Sequence, residues 1–189
     1  MVTTPVRPAK LRDAAEAIQG STGLRVEIIG GILLMSPPRR GKHAGTVRHL
    51  RERIGARLPG LGAYETSSVA LPGDGDDYAT PDLLVLPVEW EQQDGWLADP
   101  RDVALAVEVA PGPSPVSHVA TKAAWYAAAG VAAFLALTPR DGAWMLYTHP
   151  RDGEYQGVLH GKYGEPVPLT APLPAELDTS GLPLYAPRR

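Results

Sequence analysis

The sequence has no cysteine in its 189 residues. That excludes disulfides, thiol catalysis and Cys-based zinc or iron–sulfur sites. No stretch approaches the ~18 consecutive apolar residues of a transmembrane helix. The first twenty residues lack the apolar core of a secretory signal, so the expected compartment is the cytoplasm. No G-x-S-x-G is present, so a serine hydrolase of that type lacks its nucleophile elbow. Gly41-Lys42 is followed by His43 and the first glycine of a P-loop is missing. Asp74, Asp76 and Asp77 look superficially like a calcium loop, but Val85 stands where its closing Glu belongs. A large charge of one sign is also missing. The net charge is −3 and the pI about 5.9, so the whole chain is no generic nucleic-acid binder.

The residues present describe a globular chain, with 44% apolar and 21% charged residues. The length suits one domain of ordinary size. Twenty Gly and twenty Pro imply many turns and argue against a helical bundle. The charge is unevenly spread. Residues 39–57 hold Arg39, Arg40, Lys42, Arg48, Arg51, Arg53 and Arg57 against the single acid Glu52, a local charge of +6, which leaves −9 elsewhere. Such a patch can meet a phosphate backbone. It can equally be a solvated helix face with snorkelling arginines.

Periodicity gives the elements. Leu11, Ala14, Ala15 and Ile18 fit a short amphipathic helix ended by Gly20. Leu24–Ile29, Gly30-Gly31 and Ile32–Met35 read as a hairpin stopped by Ser36-Pro37-Pro38. Ala44, Val47, Leu50, Ile54 and Leu58 predict a helix from Lys42 to Leu58, stopped by Pro59-Gly60. Residues 63–71 predict one strand, and 72–77 a turn. Leu83–Val88 and Val103–Val109 are compact apolar runs that fit buried strands of one sheet. A helix follows to about Ala129, with Ser114 or Ser117 as N-cap and Gly130 as its stop. Val131–Leu137 and Ala143–Tyr147 predict two more strands, and Tyr155–Leu184 further short ones. The order predicts a mixed α/β or α+β fold, one domain over 1–189 around one sheet, with its core at about 24–148 and short strands at 155–185.

Asp82 opens the first buried strand, Glu108 lies near the end of the next, and Lys122 lies in the helix after it. Carboxylates at the ends of neighbouring strands can converge, and two of them with open water positions suit magnesium or manganese. An ammonium nearby can orient water and stabilise negative charge on a phosphate. That is the equipment of phosphodiester hydrolysis. Blander readings exist for each residue. An Asp at a strand start is often a turn or cap residue, and a helical Lys is often solvated. Glu108 is the harder to dismiss, because an acid inside LAVEVA must be paired, bind a metal or stay neutral.

The series Glu27, Ser36-Pro37-Pro38, His43, Pro81-Asp82, Glu108-Val109, Lys122, Tyr126 and Ala129-Gly130-Val131 resembles the Uma-type putative restriction endonucleases of the PD-(D/E)XK nuclease superfamily. The likeness runs from about Arg25 to Tyr147. It implies a restriction-endonuclease-like central mixed sheet flanked by helices. It also implies a metal-dependent DNA endonuclease, with Asp82 and Glu108 on the metal and Lys122 serving the attacking water. Tyr126, Glu27 and His43 would support that site. Glu27 would be a third carboxylate near the metal or a structural partner for an arginine. His43 would contact phosphate or water, or cap its helix. Arg39, Arg40, Lys42, Arg48 and Arg51 would lie along the DNA backbone, and a homodimer would cut both strands. The superfamily's usual Lys two residues after the Glu is here Ala110, so its role passes to Lys122. The family's acid one turn before that Lys is here His118, which cannot pair with Lys122 as an Asp would. The Ser-Pro after the Glu is shifted to Pro113-Ser114, and the hairpin's Gly-Glu is Gly31-Ile32. The alternative is a catalytically silent relative that keeps the fold to bind nucleic acid or a protein.

Overall fold

A computed structural model describes residues 10–36, 38–55, 59–110 and 115–186, with side chains for all of these except 115–117. The first helix, α1, spans Lys10–Thr22. It runs through Gly20 rather than ending there, and stops at Gly23, whose φ of 66° reverses the chain. The expected hairpin is present as β1 (Arg25–Ile29) and β2 (Ile32–Ser36), with Glu27 opposite Leu34. Gly30 and Gly31 both have positive φ, as a two-residue turn of this twist requires.

That turn has a second support which the hairpin pattern does not reveal. The buried Asp77 carboxylate accepts from Gly30 N at 2.5 Å and from Gly31 N at 2.9 Å. Trp125 Nε1 donates to the same group at 3.4 Å. Asp77→Ala would leave the buried Trp125 Nε1 and two exposed turn amides without their acceptor and is expected to cost about 1–2 kcal/mol, read from the urea midpoint. An unchanged midpoint would show that the turn stands without its carboxylate.

Helix α2 spans Gly41–Gly55, followed by β3 (Leu61–Tyr64) and β4 (Ser68–Ala70). The expected ends at Arg57 and Leu58 lie outside the described residues. The single strand predicted for 63–71 is in fact two strands in different sheets. Thr66, at φ 60°, turns the chain between them. Then come β5 (Tyr78–Ala79), β6 (Leu83–Pro87), β7 (Leu97–Ala98) and β8 (Leu105–Val109). Helix α3 (Pro115–Ala129) leads to β9 (Ala133–Thr138). Ser117 is its third residue and so not its N-cap, while Ser114 lies outside the described residues. Gly130, at φ 86°, ends the helix as expected. β10 (Ala143–Arg151) and β11 (Glu154–Lys162) form a hairpin of nine-residue strands, where only short strands were expected after Tyr155. β12 (Val167–Pro168) and β13 (Glu176–Leu177) close the order.

Among the described residues three sheets result, not one. The larger has the order β11-β10-β9-β8-β6-β3 and is mixed, because β8 and β9 run parallel through α3. The second is β2-β1-β5-β4-β7, and β12 pairs with β13. Strand periodicity then sorts the core. Leu83, Val85, Leu105 and Val107 face α2, where Val47, Leu50 and Ile54 meet them together with Leu169, Leu173, Leu177 and Leu182. Leu84, Leu86 and Ala106 face α3 and pack with Val119, Trp125, Tyr126 and Phe134. Ile29, Val69 and Ala79 of the smaller sheet join that second layer. Residues of even number on β6 and β8 therefore point toward α3. Asp82 and Glu108 are even-numbered.

Candidate active site

β6 and β8 pair antiparallel with Leu83 opposite Val107. One step outward, Asp82 N donates to Val107 O at 2.9 Å, which places Asp82 across from Glu108 at the sheet end. A second bond ties the strands. Asp82 Oδ2 accepts from Val109 N at 2.7 Å. The other oxygen, Oδ1, meets nitrogen on three sides. Arg39 Nη2 lies at 2.6 Å, Arg25 Nη1 at 3.1 Å and His43 Nε2 at 3.2 Å. Burial works against the charge on Asp82, but contact with His43, then with Arg39 and Arg25, prevails and holds its carboxyl down at about 2.

Lys122 and Tyr126 are one turn apart on α3 and reach the same place. Lys122 Nζ lies 3.0 Å from Glu108 Oε1 and also bonds Glu27 Oε1. Tyr126 OH donates to Glu108 Oε1 at 3.1 Å. Glu27 points at α3 because β1 turns Val26 and Ile28 toward α1 and the alternate residues the other way. Its Oε1 also accepts from Thr80 N at 2.6 Å. Glu27, Asp82, Glu108, Lys122 and Tyr126 are each at most 2% exposed. Burial raises the Glu108 carboxyl, the neighbouring Asp82 and Glu27 charges add to this, and Lys122 opposes it. Burial works against the Lys122 ammonium, but Glu108 and Glu27 outweigh it and its pKa rises. Burial also raises the Tyr126 phenol well above its ordinary value, so it remains a hydrogen-bond donor.

The structure thus brings together Glu27, His43, Asp82, Glu108, Lys122, Tyr126 and Arg39. Glu27 pairs with Lys122 rather than with an arginine. His43 is buried one turn before Val47 and points at Asp82 instead of capping its helix. Arg39 belongs to this cluster and not to an exposed basic track. Arg25 went unnoticed in the sequence. It stands two residues before Glu27 in an alternating strand, so a shared face was the available signal. His118 is exposed. Crowding by its surroundings and then the Lys122 ammonium lower its pKa, so it stays neutral beside Lys122.

The basic helix is largely occupied by the protein itself. Arg48 pairs with Glu52 at 2.6 Å and Arg51 with Glu65 at 3.2 Å. Arg53 donates to the carbonyls of Asp178 and Ser180, and Lys42 Nζ to that of Leu184 at 2.8 Å. Arg40 is exposed. Among the described residues, no group of three or more His, Asp or Glu is arranged to hold a metal ion. Three carboxylates are instead interleaved with three permanent cations.

The Uma2 family, described as "putative restriction endonuclease", matches residues 13–184. The chain belongs to that family. A crystal structure of a putative nuclease belonging to DUF820, from Anabaena variabilis ATCC 29413, has a similar fold, with a TM-score of 0.60 and 17% identity. The likeness covers 79% of this Uma2 chain and 84% of that one. No curated protein matches the chain. The mixed α+β fold expected from the sequence is the one found. No helix among the described residues is long and apolar enough to cross a membrane.

Asp82 also sets an acid limit. Its unfolded carboxyl titrates near 3.8 and its folded one near 2. The unfolded chain therefore binds more protons between these values, and stability rises with pH there. The contribution, about 2 kcal/mol, is fully present above pH 3.8 and is lost as pH falls through 2. The difference in unfolding free energy between wild type and Asp82→Asn, measured in EDTA, should shrink as pH falls from 5 toward 2. A constant difference would mean that the neighbouring cations do not hold the carboxylate.

Proposed function

We propose that the protein is a metal-dependent endodeoxyribonuclease that hydrolyses phosphodiester bonds at the Asp82–Glu108 sheet end. One observation carries this reading. Two buried carboxylates from neighbouring strands meet there, with a buried ammonium beside them. Magnesium keeps several waters and takes one or two protein carboxylates, so this oxygen donor pair fits it without a third ligand. A magnesium or manganese ion held by Asp82 and Glu108 supplies Lewis-acid polarisation and an acidified water.

The chain's own groups do the rest. Lys122 remains an ammonium, so it is no general base. Its charge opposes the effect of burial on Glu108 and would offset negative charge that develops on the phosphate. Two of its donors are engaged by Glu27 and Glu108, and an ammonium has a third with which it would orient water. Tyr126 fixes the rotation of Glu108. Arg40 is exposed just before α2 and meets the DNA backbone first, and Lys42, exposed beside it, joins by giving up the Leu184 carbonyl. Arg48 and Arg51 can join them only by exchanging Glu52 and Glu65 for phosphate. A symmetric dimer would present two such sites to a duplex.

A second reading has its own support. Three nitrogens already surround Asp82 Oδ1, as they would in a silent relative that binds nucleic acid or protein. Cleavage of supercoiled plasmid and of single-stranded DNA separates the two. Nicking is expected with magnesium or manganese, none in EDTA, and none with Asp82→Ala, Glu108→Ala or Lys122→Ala. No nicking by wild type, with no heat of metal binding, would sink the enzyme and leave the silent module.

A further inference from the structure

Asp82 Oδ2 accepts from the buried Val109 amide, and every cationic group that contacts Asp82 among the described residues sits on Oδ1, so Oδ1 is the side from which a cation approaches. Oδ1 already carries Arg39, Arg25 and His43. A divalent ion cannot share that oxygen with two guanidinium groups at such distances, because like charges this close repel strongly. One of the three must leave. Arg25 is tied down by a bond from Nη1 to Thr80 O at 2.9 Å, on a strand with buried neighbours. His43 is set in the buried face of α2. Arg39 stands outside both, in the segment before α2, and its only other ion contact among the described residues is Glu65 at 3.8 Å. Its Nη2 is buried, yet it has no hydrogen bond of proper geometry despite lying 2.6 Å from the carboxylate. His43 Nε2 is buried and unpartnered in the same sense. Charge holds Arg39 there, and directional bonding does not.

We propose that Arg39 is an exchangeable counter-ion: it rests on Asp82 Oδ1, gives that oxygen up to a divalent metal, and transfers its guanidinium to a phosphate oxygen of the substrate. This rests on the metal-dependent reading above and adds a rule to it. Metal and phosphodiester load together. Before loading, three carboxylates face three cations. A divalent ion alone leaves an excess of two positive charges, which a phosphodiester and an ionised water would cancel. The planar fork of arginine suits two phosphate oxygens, which a lysine cannot match.

The test reads Mn²⁺ affinity by paramagnetic resonance of the free ion, with and without the dinucleotide dTpdT, which has one phosphodiester. In wild type the dinucleotide should tighten Mn²⁺ about tenfold, within the usual range of coupling between sites. Arg39→Gln should bind Mn²⁺ alone about tenfold more tightly than wild type, because the competitor is gone, and dTpdT should then change it by less than about threefold. Arg39→Lys keeps the charge without the fork. It should bind Mn²⁺ alone as weakly as wild type and lose most of the dinucleotide effect, which keeps the test open if the Gln variant does not fold. Equal Mn²⁺ affinity in wild type and Arg39→Gln, or a dinucleotide effect that survives in both variants, would overturn the proposal. Plasmid cleavage with uncoupled metal binding overturns the exchange and leaves the nuclease standing. Coupled binding without cleavage does the reverse. No Mn²⁺ bound under any condition overturns both.

Discussion

Lys122→Met lowers the unfolding free energy by about 3–5 kcal/mol, as a fall in the urea midpoint with an unchanged slope. The ammonium is 1% exposed and lies between Glu27 and Glu108, which are equally buried. Met fills a similar volume and offers neither carboxylate a partner. Removing one side of a buried ion cluster costs more than the cluster contributes, because the charge left behind is neither solvated nor paired. Glu108 already titrates above its ordinary value with the cation present. Without Lys122 its proton affinity rises further, so the deficit of the variant should shrink as pH is lowered and Glu108 becomes neutral. Adding Glu108→Gln to Lys122→Met should recover part of the loss. A Lys122→Met protein as stable as wild type would mean that water reaches these carboxylates.

Glu108→Gln alone separates fold from chemistry. The amide has the same shape, and Lys122 keeps Glu27 as its partner. The stability change should stay within about 1 kcal/mol. Metal-dependent cleavage should fall by about 10³-fold, because a lost metal carboxylate removes several kcal/mol of charge stabilisation and each 1.36 kcal/mol is tenfold in rate. Single-turnover plasmid nicking in saturating manganese checks this. Activity within tenfold of wild type would place the metal elsewhere.

The strands that carry Asp82 and Glu108 were legible because both are short apolar runs bounded by turn residues. Their shared face also follows from strand periodicity once the register is known. Lys122 was legible on its helix, while Tyr126 entered only through the family pattern. The division into two sheets was not. It depends on the turn at Thr66, a residue whose type gives no hint of a positive φ. In the sequence Arg39 is one member of a charge run, since spacing cannot tell an arginine that turns inward from one that stays in water. The rest of that run was overestimated for a similar reason. Glu65, Asp178 and the carbonyl of Leu184 neutralise or engage it from distant segments.

The four leucines at 169, 173, 177 and 182 fill the layer beneath α2, and Arg53 and Lys42 reach across to the backbone of the same segment. Helix α2 is synthesised well over a hundred residues before them. On the ribosome, the cover of its apolar face stays incomplete until these leucines have left the exit tunnel. Until then Val47, Leu50 and Ile54 have only the β6 and β8 side of their cover. A chaperone that recognises short apolar stretches would find its target at α2 of the nascent chain.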